Sequence, residues 1–489
     1  MNIAIIGSGI GGLAAAIRLS VKGHNVKVYE KNNQPGGKIS ELRMEGYRFD
    51  TGPSLFTLPN LVDELYELCG ENSNADLPYL LLENNCKYFF SDQTEFNFYH
   101  NKKLLRKEIE IKTNENAETI LHRLKQSEEM YNVSAPVFIF NSLRKYSNFT
   151  TAPYRKMLLK VLKLRANLTM HNANKHDFKD PNMVQLFDRY ATYNGSNPYK
   201  APATLNMIAH LENNIGAYFP LNGMYSIVNG LFQLAEKKGV KFEFNSLVEE
   251  IIVQNKIAIG IKTSKKVESY DLIVSDCDSK YLSTNMLRHP HQNRINKSEP
   301  SSSALIFYWG INKVFESLEM HNILFSNDYK QEFDHIFNHH TLSEEPTVYI
   351  FISSKIVKSD APAGCENWFV MINAPSNNEQ NWEEFIKAAR KNIVNKINKT
   401  LRTDIEKHII CEHIASPLTI EKNTLSPNGA LYGNSSNSMF AAFMRHPNWF
   451  SDIKNLYFVG GSVHPGGGIP LCLASAKIVD QEIPLAYEN

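Results

Sequence analysis

The part of this chain that most constrains its fold is its beginning, MNIAIIGSGIGGLAAAIRLSVKGHNVKVYEKNNQPGGK, from Met1 to Lys38. Ile3 to Ile6 is apolar, rich in β-branched residues and too short for a helix, so it reads as a buried strand. Gly7, Gly9 and Gly12 follow in a G-x-G-x-x-G spacing, and Leu13 to Leu19 are mostly good helix formers up to a break at Gly23. A second β-branched run, Val26 to Tyr29, ends on the acid Glu30. Strand, glycine turn, helix, strand and acid in this order form a dinucleotide-binding βαβ unit. Gly7 permits the tight turn, Gly9 lets backbone approach a pyrophosphate, and Gly12 lets the helix pack on the strand. The helix N-terminus offers free N–H groups and a positive dipole end to phosphates. Glu30 is placed to accept hydrogen bonds from ribose hydroxyls, and its charge disfavours a 2′-phosphate. A second glycine pair, Pro35-Gly36-Gly37-Lys38, and then Phe49-Asp50-Thr51-Gly52-Pro53 favour FAD over a nicotinamide cofactor. An extended FAD needs close backbone approach farther along its length.

At 489 residues the chain has room for two domains or more. A net charge of +1 gives no bulk attraction to nucleic acid. The cysteines, Cys69, Cys86, Cys277, Cys365, Cys411 and Cys472, form no C-x-x-C pair, which suits a reducing, cytoplasmic setting without disulfides or structural zinc. The N-terminus lacks the basic leader of a signal peptide, and no run approaches the ~18 apolar residues of a spanning helix. His335, His339 and His340 include an i, i+4 pair, but no third ligand accompanies them and the sequence gives no metal site.

Along the chain, Leu61 to Cys69 has helical spacing ended by Gly70, Tyr79 to Tyr99 reads as short aromatic strands, and Glu115 to Phe140 is again helical. Tyr154 to Leu168 reads as one basic amphipathic helix. Lys156, Lys160 and Lys163 fall on a narrow face, and Met157, Leu158, Val161, Leu162, Leu164 and Leu168 lie opposite, with Arg165 among them. Such a helix either lies in a membrane interface or turns its apolar side to the core. Ile227 to Ala235 reads as a helix, and Val240–Phe244, Val248–Ile252 and Tyr270–Asp276 as strands; Asp276 and Asp278 read as loop caps. A second strand-rich insertion runs from about Ala304 to Leu418, and the chain closes with a strand, Leu456 to Val459, a glycine-rich loop, Gly460 to Pro470, and a helix, Leu471 to Ile478. The fold class is therefore α/β. A Rossmann-like domain is built from 1–80, 200–300 and 430–489, and a substrate-binding, membrane-associating domain from 81–199 and 301–429.

GSGIGG near the N-terminus, PGGK after Glu30, FPLNGMYSIVNGL from Phe219 and GGSVHPGGGIP from Gly460 together resemble the carotenoid (phytoene) desaturases, FAD enzymes of the amine-oxidase-like flavoprotein superfamily. Gly429-Ala430-Leu431-Tyr432-Gly433 and Arg445-His446-Pro447-Asn448 look most like the hydroxycarotenoid 3,4-desaturase branch. Lys38 and Asn222 depart from the family pattern, where arginine and glycine are commoner. The resemblance implies that Gly7, Ser8, Gly9, Gly11 and Gly12 hold the pyrophosphate, and Glu30, with Lys31 beside it, the adenosine ribose. It places Gly37, Lys38, Gly52, Pro53 and Ser54 along the ribityl chain and flavin, and the Val248 backbone at the adenine. Gly460 and Gly461 would meet the second phosphate, and Gly468 and Ile469, opening the last helix, the flavin's pyrimidine side.

Removing two hydrogens beside a polyene needs a hydride acceptor, which flavin provides. The polyene spreads the developing positive charge, so a strong protein base is less necessary, and no acid–base pair stands out. The 27 Phe and 22 Tyr could line an apolar tunnel. His464 beside Pro465 reads as loop-shaping rather than as a base. The implied activity is desaturation of a hydroxylated carotenoid at a membrane surface. A non-catalytic lipid carrier on the GDP-dissociation-inhibitor scaffold and a flavin amine oxidase remain as alternatives.

Overall fold

The computed structural model describes residues 1–142, 144–287, 299–438 and 445–486, without the side chains of Tyr146, Val161 and Leu162. Its first layer is a five-stranded parallel sheet ordered Leu456–Phe458, Leu272–Ser275, Asn2–Ile6, Asn25–Tyr29, Lys241–Glu243. The opening strand is central, with Ile3 paired to both Val26 and Leu272. A central parallel strand is covered on both faces, which is why it reads as an unbroken apolar run. Ile3, Ala4 and Ile5 are wholly buried. On one face the helix Ile10–Val21 packs between Tyr225–Lys237 and Ile469–Glu482. On the other lies a three-stranded antiparallel sheet, Val248–Gln254, Ile257–Thr263 and Val267–Ser269, whose Val248 and Ile251 share a cluster with Ile6 and Tyr29.

A second, seven-stranded sheet is ordered Ile409–Ala415, Ser303–Ile311, Glu366–Ala374, Val348–Phe351, His321–Leu324, Asn84–Phe89, Glu95–Tyr99. Period-two alternation divides its side chains between two cores. Phe307, Trp309, Trp368, Val370 and Ile350 pack beneath the helix Trp382–Leu401. Tyr308, Phe369 and Phe351 point the other way, into the core shared with the nucleotide-binding layer. Trp309 and Trp368 are fully buried, and burial of a large apolar side chain contributes about 2–3 kcal/mol.

The two sheets are tied by a buried ion cluster. Arg48 donates to Asp50 at 2.7 Å and to Asp360 at 3.3 Å. Asp50 in turn accepts from the backbone N–H of Met224 and Tyr225, which open the helix Tyr225–Lys237. A β-carbon at Gly223 would lie 2.4 Å from this guanidinium, so that position of the FPLNGM segment has no room for a side chain.

One sequence expectation fails here. Residues 154–168 do not form a single helix. The helix Ala152–Leu159 ends at Lys160, a 3₁₀ turn covers Val161–Leu164, and Arg165 is left-handed at φ 49°. Met157 and Leu164 are buried, whereas Leu158 and Leu159 are 52% and 88% exposed beside the exposed Lys156 and Lys160. The break separates apolar residues that an ideal helix would place on one side. Arg165 is drawn inward by an ion pair with Asp177. The side chains of Val161 and Leu162 lie outside the described set. Among the described residues no helix is long and apolar enough to cross a membrane.

Candidate functional site

The glycine turn at the head of Ile10–Val21 is a cradle made of main chain. Gly9 is extended and provides no side-chain cap, so the first-turn N–H groups are left for partners outside the helix, and the Asp276 carboxyl takes that of Gly12. A β-carbon on Gly12 would sit 2.2 Å from the Gly7 carbonyl. A β-carbon on Gly11 would sit 2.8 Å from the Gly460 nitrogen. The first and last segments of the chain therefore meet backbone to backbone, as close as two glycines permit. Gly37 (φ 60°) lies against the Gly9 Cα, Gly36 donates to the Ser8 carbonyl at 2.9 Å, and a β-carbon on Gly52 would be 2.1 Å from the Lys38 carbonyl. Gly461 sits over Gly467. Gly468, at φ 105°, turns the chain into the final helix, whose first residue is Ile469.

Glu30 ends the second strand and is almost wholly buried. Its Oε2 accepts from the Ser8 N–H at 2.9 Å and the Ser8 hydroxyl at 2.8 Å, and its Oε1 from the Asn32 N–H at 2.9 Å. A carboxylate has about four acceptor positions, so one remains on Oε1 for a further donor. Lys31 is half-buried, with its ammonium 3.1 Å from the Asn32 side-chain oxygen, and burial lowers its pKa. Val248 begins the strand that packs over Ile6 and Tyr29, the residues just before the cradle and Glu30. Lys38 reaches away from the turn to donate to the carbonyls of Ala430 and Leu431, at 3.3 and 2.6 Å. Burial lowers its pKa, and the nearby Asp278 and Asp276 oppose that.

Sequence reasoning missed one member of this group. Asp278 caps a short turn by accepting from the N–H of Lys280 and Tyr281, as expected. Asp276 does not behave as a loop cap. Its carboxyl lies inside the cradle, where β-carbons on Gly9, Gly11 and Gly460 would fall 2.3, 2.6 and 2.2 Å from its oxygens. Desolvation raises its pKa to about 7, against hydrogen bonds from the Gly12 and Gly9 backbone, while Glu30 adds to the rise and Lys38 opposes it. The available signal was position: Asp276 directly follows the strand that pairs in parallel with the opening one.

The loop after Gly52 leads to the second sheet. Pro53 is followed by Ser54, whose hydroxyl is 2.6 Å from the Tyr349 hydroxyl. His464 is buried, with Nε2 2.9 Å from the Asn141 carbonyl. Burial lowers its pKa to about 4, so it is a neutral, hydrogen-bonded element of the loop. His335 is hydrogen-bonded to Thr341, and the described residues contain no group of three or more metal-ligating side chains.

A helix end opened by glycines, a buried acid with one free acceptor, and closely approached glycine backbone suit an extended dinucleotide. Comparison with known proteins points to a flavin. The profile of the family "Flavin containing amine oxidoreductase" matches residues 10–483. The chain is 47% identical over 482 residues to a 1-hydroxycarotenoid 3,4-desaturase of Flavobacterium sp. (strain P99-3), covering 98% of each protein. It is 28% identical to a 4,4'-diapolycopene oxygenase of Methylomonas sp., covering 99% of this chain and 98% of the relative. Among solved structures, a putrescine oxidase variant aligns with TM-score 0.65 at 11% identity, over 98% of both chains. A Rab GDI from Plasmodium falciparum aligns with TM-score 0.53 at 13% identity, over 98% and 97%. At those identities the two structures speak for the fold alone. The chain belongs to the flavin-containing amine oxidoreductases, in their carotenoid desaturase branch.

Proposed function

We propose that this protein is an FAD-dependent desaturase that introduces a C–C double bond into a hydroxylated carotenoid, as a step of carotenoid biosynthesis carried out at a membrane surface. The observation that carries this reading is the near full-length identity with the hydroxycarotenoid desaturase. The amine-oxidase and GDP-dissociation-inhibitor readings rest on the shared scaffold only.

On this reading Gly7, Ser8, Gly9, Gly11 and Gly12 hold the pyrophosphate with Gly460 and Gly461, Glu30 binds the adenosine ribose next to Lys31, and Val248 borders the adenine. Gly37, Lys38, Gly52, Pro53 and Ser54 border the ribityl chain and flavin, and Gly468 and Ile469 the pyrimidine edge. Bound FAD supplies a hydride acceptor for the desaturation. The final helix begins at Ile469 without a side-chain cap, so its N–H groups and dipole stabilise negative charge placed before them. The domain division follows the sheets: every strand of the parallel sheet falls within 1–80, 200–300 or 430–489, and every strand of the seven-stranded sheet within 81–199 or 301–429.

Peripheral membrane attachment is supported by the exposed Leu158 and Leu159 among Lys156 and Lys160, a pairing of apolar and cationic groups suited to a lipid interface. The whole reading is tested by loading the protein with FAD and incubating it with hydroxylated and unhydroxylated carotenoids. A red shift of the hydroxylated polyene is expected. Oxidation of amines with peroxide release, without that shift, would replace this reading with the amine-oxidase one.

A further inference from the structure

Tyr349 stands on the side of the seven-stranded sheet that faces the nucleotide-binding layer, and its hydroxyl joins two groups. It lies 2.6 Å from the Ser54 hydroxyl and 2.7 Å from Nδ1 of His321. His321 is 3% exposed. Its ring stacks on Phe351 and Tyr349, at interplanar angles of 14° and 11°, and Phe351 in turn meets Phe219 and Phe369. The far nitrogen, Nε2, has no hydrogen-bond partner among the described residues.

Burial, with the Arg189 guanidinium adding to it, depresses the pKa of His321 to about 3, so the ring is neutral. Arg189 itself is engaged with Glu212, Tyr88 and Tyr193. A neutral imidazole leaves Nε2 either a donor or an acceptor, whichever tautomer Tyr349 selects. An unpaired buried polar atom is costly, and a trapped water needs two to four polar partners, which the rings stacked on His321 do not offer. A buried nitrogen without a partner, in a ring stacked against two aromatic side chains, suits an apolar ligand that carries a hydroxyl.

We propose that Nε2 of His321 binds the terminal hydroxyl of the polyene and so selects hydroxylated over unhydroxylated carotenoids. This rests on the function proposed above. In the similar hydroxycarotenoid desaturase the name puts the hydroxyl on carbon 1 and the new double bond between carbons 3 and 4. A hydroxyl-binding group must then stand within a few bonds of the reacting carbons. The path from His321 through Tyr349 ends on Ser54, one of the residues assigned to the flavin border.

The test uses FAD-loaded protein and two polyenes of equal length, one with a terminal tertiary hydroxyl and one a plain hydrocarbon, with binding followed by the polyene absorption shift. The wild type is expected to bind the hydroxylated polyene at least about tenfold more tightly. His321→Leu is expected to bring that ratio within about twofold. His321→Asn retains a partner for Tyr349 but withdraws the far nitrogen, and is expected to lose the preference too; it serves where the leucine variant fails to load flavin. A preference retained in either loaded variant overturns the role of His321 and leaves the desaturase reading standing. A flavin-loaded wild type that binds neither polyene overturns the desaturase reading itself.

Discussion

The glycine cradle and the aromatic face opposite it are built by opposite means. In the cradle main-chain N–H groups surround one side chain, the Asp276 carboxyl, and the glycines have no room for side chains of their own: β-carbons on Gly9, Gly11, Gly12 and Gly460 all fall under 3 Å from their neighbours. On the sheet face the backbone is committed to the ladder, and the functional atoms are side-chain hydroxyls and an imidazole brought together across strands. A main-chain site tolerates no substitution that adds volume. A side-chain site can be retuned one group at a time. That contrast fits a family whose members share a cofactor and differ in what they oxidise.

The contrast breaks if the cradle tolerates a methyl group. Gly11→Ala places one within 2.8 Å of the Gly460 nitrogen, where only backbone movement relieves the clash. Overpacking of this kind costs about 1–3 kcal/mol, so flavin affinity is expected to fall between about fivefold and 150-fold, measured by flavin titration of the stripped protein. Glu30→Gln faces an amide toward the Ser8 and Asn32 donors, and a comparable penalty of about 1–3 kcal/mol is expected as weaker cofactor binding in titration.

In the helix Ala152–Leu159, Leu158→Asp with Leu159→Asp removes an exposed apolar pair near the lysines. Vesicle affinity, measured by co-sedimentation, is expected to fall at least about 100-fold, since each of the two leucines inserted into lipid is worth about 1.5–3 kcal/mol. Ile111→Asp, equally surface-exposed but on a separate helix, is expected to leave vesicle binding unchanged.

A pH dependence concerns Asp276. Its folded pKa, raised to about 7 chiefly by desolvation, lies above the ordinary carboxylate value of about 4. The folded state therefore holds this proton after the unfolded state has released it. Stability falls as pH rises from about 4 to about 7 and levels off above. The thermal midpoint of the wild type should fall more between pH 5 and pH 8 than that of Asp276→Asn. Equal slopes would mean that Asp276 ionises normally beside the glycines.

What could be read from the sequence follows the same division. The cradle was legible because a backbone site leaves its record as glycine spacing: Gly7, Gly9 and Gly12, the pair at Gly36 and Gly37, and the run from Gly460 to Gly468 each mark a place where backbone must come close. The parallel sheet was legible mainly where a short apolar strand meets a glycine, as Asn2–Ile6 meets Gly7 and Leu456–Phe458 is followed by Gly460. The bond from Ser54 to Tyr349 spans 295 positions, and no local pattern announces it. The same holds for the buried pairing of Arg189 with Glu212. Asp276 was misread because its partner is a loop more than 260 positions earlier. The helix over 154–168 was misread because periodicity alone cannot show that the helix stops at Lys160 and that Arg165 turns to pair with Asp177.

The central claim is that the cradle delivers a flavin to the carotenoid bound on the aromatic face. Anaerobic mixing of FAD-loaded protein with a hydroxylated carotenoid measures this in a single turnover. Loss of the flavin absorption band together with a red shift of the polyene, at one common rate, is the predicted result. A flavin band that stays oxidised while the carotenoid is bound would contradict it.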